Sequence, residues 1–285
     1  MYRSDLFFHI YRINRTVFVM KTRSTSLFGS SLGNVKLHGV VNASQDSLAD
    51  FSIALDVDSA IKRAKELIKD GCVGIDLGGA GSTQYAKRIS TEEEWARLDG
   101  KVQAIAKLGI ELSIDTWNPE IMLRALEAGA NFMNAADGLQ NPAMIEIAVQ
   151  TGVPVVLPFL SGEDPKSLQF VSGDPVAHIL DWFEVSLNRL DQLGVTKDQL
   201  ILDPGTGFGP ANWDWEDRYA YQEQIYSNLE KLRVFDLPIY IALPWKMDEG
   251  RQHLLEILLQ VGFDYGRTHI PKQVLEIRKK IRTGK

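Results

Sequence analysis

The sequence predicts an α/β fold: a single-domain TIM (β/α)8 barrel carrying an N-terminal extension. Three observations support this. From residue 36 onward, short β-branched and apolar runs alternate with segments of helical period, eight times in about 250 residues. Seven of the eight runs end on a polar or charged residue, where a closed parallel barrel gathers its site. No low-complexity linker divides the chain, and no repeat beyond that beat is visible. A doubly wound sheet shares the beat but would spread the polar strand ends along an edge instead of around one pocket.

The strands are expected at 36–42, 73–79, 110–116, 131–134, 153–159, 200–204, 238–243 and 264–269. Their ends carry, in order, Asn42, Asp76 with Gly78-Gly79, Asp115, Asn134, Phe159, Asp203, Lys246, and Arg267 with His269. Helical patterns occupy 58–70 ("DSAIKRAKELIKD"), 91–108, 119–128, 175–193, 218–234 and 251–261. Pro119, Pro142 and Pro271 stand where a first helical turn accepts proline, because the missing N–H would have no partner there. Gly71, Gly109, Gly129, Gly152, Gly194 and Gly262 fall where left-handed caps close helices. Two loops are long, 161–173 and 205–217. The second, "GTGFGPANWDWED", mixes glycines with Trp213 and Trp215, which suits closing over a ligand and anchoring a loop equally.

The totals bound the function. The 285 residues are 45% hydrophobic, enough for one large core. A net charge of −6 argues against a nucleic-acid groove, so any anion site must concentrate its cations locally. The single cysteine, Cys72, excludes an internal disulfide and a multi-cysteine metal site, and fits a reducing compartment such as the cytoplasm. No apolar run reaches 18 residues, so no membrane span is expected. Residues 1–35 hold one acid, Asp5, against Arg3, Arg12, Arg15, Lys21 and Arg23, with several serines. That is a transit-peptide composition. Without a clear amphipathic period it reads better as a surface extension, or as sequence upstream of a true start at Met20; the barrel domain is 36–285.

The strand ends have a chemistry of their own. Asp115, Asn134 and Asp203 each follow apolar residues that desolvate them, a set suited to a planar ligand with adjacent N–H donors and a carbonyl. Lys246, Arg267 and His269 form a cationic arc on strands seven and eight, where barrels often hold phosphate. Read singly, Asp115 is as well explained as a helix cap before Pro119, Asn134 as a turn residue and Lys246 as a solvated lysine. Other motifs fail: no G-x-x-x-x-G-K-[ST] occurs, no nucleophile elbow G-x-S-x-G stands at a barrel strand end, and "GGAGS" and "GTGFG" miss dinucleotide spacing. His178 and His253 lack partners at zinc spacing.

Six segments, "GVVNASQDSLAD", "GIDLGGAGSTQ", "LSIDTWNPE", "NFMNAADG", "LILDPGTGFG" and "YGRTH", resemble in order and spacing the signatures of dihydropteroate synthases. These are pterin-binding TIM barrels, and the likeness runs from about Lys36 to the C-terminus, nearest the sulfonamide-insensitive branch. The resemblance implies joining a hydroxymethyl-dihydropterin diphosphate to p-aminobenzoate, with pyrophosphate released and Mg²⁺ assisting. It implies that Asn42 contacts metal and diphosphate, with Ser82, Arg267 and His269 also on the diphosphate. Asp115, Asn134, Asp203, Lys246 and Arg267 would hold the pterin, and Asp115, Asp203, Lys246 and Arg267 would be catalytic. Thr83, Gln84, Phe208, Pro244 and Trp245 would form the second-substrate pocket. It further implies a cytoplasmic enzyme of folate biosynthesis, possible pairing as a homodimer and sulfonamide resistance.

The departures from that pattern cluster on the amine side. Pro244-Trp245 replace Ser-Arg, Thr83-Gln84 replace Arg-Pro, Pro158-Phe159 replace Met-His, and Ala135 replaces an aspartate. The stretch from Lys246 to Arg267 is also shorter than usual. Replacing a charge-assisted contact by an indole removes about 1.5–3 kcal/mol of binding, unless Trp245 stacks on the amine. Three functions therefore stand open: a divergent dihydropteroate synthase, a paralogue that keeps the pterin site but uses another amine or is inactive, and a methyltetrahydrofolate:corrinoid methyltransferase. The last has no need of a diphosphate-gripping Arg-x-His.

Overall fold

The computed structural model describes residues 35–283, apart from 48, 82–85, 170–171, 209–213 and 246–247. The extension through residue 34 lies outside the described residues. Eight parallel strands are described: β1 (Lys36–Asn42), β2 (Gly74–Gly78), β3 (Glu111–Thr116), β4 (Phe132–Ala135), β5 (Val155–Pro158), β6 (Leu200–Asp203), β7 (Tyr240–Ala242) and β8 (Tyr265–Thr268). They pair in the order β6-β5-β4-β3-β2-β1-β8-β7. A parallel bridge between Leu202 and Ile239, with Leu202 N–H donating to Pro238 O at 2.9 Å, joins β6 to β7 and closes the ring.

The strands are apolar on both sides because both sides are buried. One cluster, from Leu37 through Ile277, fills the annulus between barrel and helices. A second, Phe132, Val156, Ile201, Tyr240 and Tyr265, comes from five strands and packs inside the barrel. The buried His38 ring meets Phe132, Tyr240 and Tyr265 edge-on at 5.1–5.8 Å and completes that layer. Below it, at the N-terminal end, Glu111 accepts from Lys36 Nζ at 2.9 Å and pairs with His38 Nε2 at 2.8 Å, plugging the barrel floor.

Nine helices are described: α1 (Val57–Lys69), α2 (Thr91–Leu98), α3 (Lys101–Ala106), α4 (Pro119–Glu127), α5 (Pro142–Thr151), α6 (Pro175–Gln192), α7 (Trp215–Tyr226), α8 (Glu249–Val261) and α9 (Pro271–Thr283). Local signals set their ends. α1 starts on a capping box between Asp56 and Ser59 and buries Ala60, Ala64 and Leu67 at helical spacing. Pro119, Pro142 and Pro271 open α4, α5 and α9 as expected.

Two helical expectations are corrected. The pattern at 91–108 is two helices, because Gly100 at φ +76° turns the chain out of the helical region between α2 and α3. The pattern at 218–234 begins at Trp215 and ends at Tyr226. A 3-10 segment, Leu229–Phe235, follows, burying Leu229 and Leu232.

Candidate active site

A strand period of two places the next inward side chains directly above the aromatic layer, toward the C-terminal strand ends. Asn134 stands two residues past Phe132, Asp203 two past Ile201 and Arg267 two past Tyr265. Asp115 joins them through its register with Asn134. Asp115, Asn134 and Asp203 are all buried. The reading of Asp115 as a helix cap is excluded, since the α4 cap is Asn118, whose side chain accepts from Glu120 N–H at 3.0 Å. Asn134 lies within β4, not in a turn.

Arg267 ties this layer together. Its Nη2 donates to Asp115 Oδ2 at 2.9 Å and its Nε donates to Asp76 Oδ2. Asp76 is a residue to which the sequence reading gave no role. It is fully buried in β2 and also lies 3.4 Å from the Asn134 amide nitrogen. The signal was present: an aspartate between Ile75 and Leu77 in a strand buried on both faces requires a cationic partner.

Two carboxylates, Asp76 and Asp115, therefore share one guanidinium in a buried layer, and its charge also reaches Asp203. Burial pushes Asp115 up to about 7 against the pull of Arg267, with Asp76 and Glu94 adding repulsion. Burial also pushes Asp203 up to about 7, although its Oδ1 accepts from Gly205 N–H at 2.8 Å. Burial alone would lower the Arg267 guanidinium, but Asp76 and Asp115 raise it. The layer can exchange protons near neutrality while Arg267 stays charged.

Above it opens a cavity of about 210 Å³. Asn42, Ser44, Asp46 and Ser47 border it beside β1, Ala80 and Gly81 beside β2, and Asp115, Arg267 and His269 from β3 and β8. Across from them stand Phe208, Arg218 and Tyr221 of the β6–α7 connection and helix, and Pro244 and Trp245 after β7. Asn42, Asp115, Arg267, His269, Phe208, Pro244 and Trp245 are thus brought to one cavity. Asn134 and Asp203 do not line it; they belong to the buried layer below. Ser82, Thr83, Gln84 and Lys246 lie outside the described residues, so the cationic arc is described here only by Arg267 and His269.

That arc needs correction at His269. Burial, with Arg267 and Arg63 nearby, holds its imidazole down to about 3, so the ring is neutral at physiological pH and offers an N–H donor instead of a charge. Its ring is 5.6 Å from that of Trp245 and 6.1 Å from that of Phe51, and Phe51 and Trp245 themselves meet at 5.9 Å. Trp245 thus packs on protein rings while still lining the cavity. Two of the other departures are apolar and buried: Phe159 packs edge-on against Trp182 at 5.6 Å, and Ala135 is fully enclosed.

Asn42 is held by its amide nitrogen. Both amide hydrogens are used, donating to Ser47 Oγ at 2.9 Å and Ser52 Oγ at 2.7 Å, which leaves Oδ1 for a ligand. Among the described residues no cluster of three His, Cys, Asp or Glu can hold a metal. The loop after β5 is stapled across the rim, where Asp164 accepts from Arg88 Nη2 at 2.8 Å and Lys166 Nζ donates to Ala86 O at 2.8 Å.

Fold and site define a (β/α)8 barrel that presents a polar, acid-rich floor and a guanidinium to a small ligand at its C-terminal rim. The chain matches the family "Pterin binding enzyme" over residues 38–246. It is 30% identical over 234 residues to the dihydropteroate synthase of Escherichia coli K12, covering 81% of this chain and 78% of that one. It superposes on Yersinia pestis dihydropteroate synthase, solved in a sulfonamide drug complex, with a TM-score of 0.78 at 27% identity, covering 89% of this chain and 95% of that one. On the Anaplasma phagocytophilum dihydropteroate synthase with bound 6-hydroxymethylpterin-monophosphate, the TM-score is 0.73 at 25% identity, with coverage of 88% and 99%. The chain belongs to the pterin binding enzyme family, as a member of its dihydropteroate synthase group.

Proposed function

We propose that this chain is a dihydropteroate synthase, condensing 6-hydroxymethyl-7,8-dihydropterin diphosphate with p-aminobenzoate in folate biosynthesis. The observation that carries the reading is the stacking of two polar tiers. A buried Asp76–Asp115–Asn134–Asp203 layer held by Arg267 lies directly beneath a cavity walled by Asn42 and His269.

In this reading the pterin's N–H edges are taken by Asp203, Asn134 and Asp115, which are acceptors in a low-dielectric layer. The bond between the hydroxymethyl carbon and diphosphate oxygen breaks, and the electron pair leaves with pyrophosphate. The carbon's developing positive charge is stabilised by the carboxylates below it. The amine nitrogen supplies the new bond's electrons and then releases a proton. Arg267 and the neutral His269 donate to the departing diphosphate, with Ser82 as a further contact, while Lys246 contacts the pterin. Mg²⁺ suits the same place: it prefers oxygen, keeps most of its waters and uses substrate phosphates, so Asn42 Oδ1 is a sufficient protein ligand. When bound, it supplies charge neutralisation at the leaving group.

Thr83, Gln84, Phe208, Pro244 and Trp245 form the amine pocket in this proposal, and their departures from the synthase pattern favour weak sulfonamide inhibition. No described helix is long and apolar enough to cross a membrane. Cytoplasmic residence and a homodimer complete the proposal, the latter to be read by light scattering. The deciding experiment is turnover. With Mg²⁺, purified protein should release pyrophosphate from the pterin diphosphate only when p-aminobenzoate is present. Pterin binding without amine-dependent release would refute the reading.

A further inference from the structure

The strand order divides the cavity into two chemical halves. Asn42 ends β1 and His269 directly follows the adjacent strand β8, with Ala80 and Gly81 beyond β2, and this half suits an anion and its metal. The other half belongs to β6 and β7. It presents Phe208, Pro244 and Trp245, with Tyr221 on α7, as an aromatic and apolar wall. An aryl ring fits that wall, but a carboxylate on the ring would face a dry surface unless a cation stood beside it.

Two arginines line that half of the cavity, Arg218 in the first turns of α7 and Arg251 in α8. Arg251 is committed to the seam between these helices. Its Nη1 donates to Asp248, the α8 cap, and its guanidinium lies 5.3 Å over the ring of Tyr219 on α7. Asp248 in turn accepts from the Tyr219 hydroxyl at 3.2 Å. Arg218 is half-buried on the wall itself, on the helix that follows Phe208. Its position is also set from below: Gln222, one turn further along α7, donates to Thr206 O at 2.9 Å, and the buried Tyr226 hydroxyl donates to Thr206 Oγ1 at 3.0 Å. These bonds fix α7 to the same short loop that presents Phe208.

We infer that Arg218 is the specificity-determining cation of the second-substrate pocket, binding the carboxylate of the aromatic amine while Phe208 and Trp245 enclose its ring. A guanidinium matches a carboxylate through two parallel N–H bonds, so it fixes the ring's direction as well as its charge. With the carboxylate held at α7, the para nitrogen points across the cavity toward the half that holds Asn42 and His269. Asp46 and Asp115 are the acidic groups on that opposite side, and they disfavour a carboxylate turned the other way. This assignment rests on the synthase reading above.

The test uses the full chain with Mg²⁺ and pterin diphosphate, comparing p-aminobenzoate with its neutral analogue p-aminobenzamide. Wild type should prefer p-aminobenzoate in kcat/KM. Arg218→Met should lower that preference tenfold to a hundredfold, through the KM for p-aminobenzoate, and Arg218→Lys should restore part of it. An unaltered preference in Arg218→Met overturns the inference, as does a wild type that turns over both amines with no preference for p-aminobenzoate. Turnover of neither amine, with or without binding of pterin diphosphate in calorimetry, is a separate result: it overturns the synthase reading itself, and the inference with it.

Discussion

Arg267 on β8 donates through Nη2 to Oδ2 of Asp115 on β3 at 2.9 Å, so the cation and the carboxylate expected to face the pterin separately are bound to each other. A guanidinium presents the planar N–H edge that a carboxylate prefers. A pterin that reaches Asp115 must therefore offer comparable donors and displace one arm of Arg267. Asp76 keeps the other arm through Nε, so the side chain stays charged and anchored while that arm turns toward the cavity.

Removing the guanidinium leaves Asp76, Asp115 and Asp203 buried with no cation among them. Arg267→Ala should destabilise the protein by about 3–5 kcal/mol at pH 7.5, the usual result of stripping one partner from a buried ionic group. Arg267→Lys should recover only part of that, since an ammonium cannot bridge two strands in one plane. Urea unfolding measures both variants. Calorimetry with pterin diphosphate should show no binding to Arg267→Ala at pH 6, where protonated carboxylates relieve the loss of stability.

The raised carboxyls fix the sign of a pH effect. Asp203, near 7 in the folded chain against 3.8 as its ordinary value, holds a proton between those limits that the unfolded chain has released. Stability from this group is therefore fully present below about pH 4 and declines as pH rises through 7. Asp203→Asn keeps an oxygen for the Gly205 N–H and removes the titration. Its stability relative to wild type should increase from pH 5 to pH 7.5, with the two proteins converging toward pH 4. Parallel pH curves for the two proteins would contradict the burial argument.

Much of this site was legible because strands of a closed barrel obey simple rules. A polar residue after an apolar run marks a rim, which located Asn42, Asp115, Asn134, Asp203 and Arg267. Proline and glycine marked helix ends because their backbone chemistry is local, and the six glycines expected to close helices all have positive φ. What stayed hidden was pairwise. Nothing in the sequence says that Asp76 would answer Arg267, 191 positions away, or that burial, with two guanidiniums nearby, would keep His269 neutral. Arg218 was hidden for a related reason: its period marks a helix, and only the closing of β6 against β7 turns that face toward a cavity.

Gly205 tests the local support of the floor. It sits at φ +73°, and a Cβ there would lie 2.2 Å from Phe159 O, a backbone atom that cannot move aside cheaply. Its N–H also holds Asp203 and its carbonyl accepts from Phe208 N–H at 3.0 Å. Gly205→Ala should destabilise by about 3 kcal/mol or more, combining left-handed strain with a clash. Because the displaced loop carries Phe208, the KM for the amine should rise more than the KM for the pterin diphosphate. Steady-state kinetics on the folded fraction at low temperature reads that split.

The proposed Mg²⁺ site has one protein oxygen, Oδ1 of Asn42. Its amide hydrogens are spent on Ser47 and Ser52, and the described residues offer no carboxylate cluster to share an ion. One neutral oxygen binds Mg²⁺ too weakly to retain it without phosphate ligands. The metal should therefore arrive with the diphosphate. Titration of Mg²⁺ into the protein alone should give no binding at millimolar concentration, whereas Mg²⁺ should tighten binding of the pterin diphosphate by roughly tenfold to a hundredfold, the range for a charge-assisted contact. Asn42→Ala should lose that enhancement while still binding the diphosphate-free pterin, whose proposed contacts lie in the layer below. Tight Mg²⁺ binding to the protein alone would mean that the ligand set includes residues beyond Asn42, and the reading of Oδ1 as the sole protein ligand would be wrong.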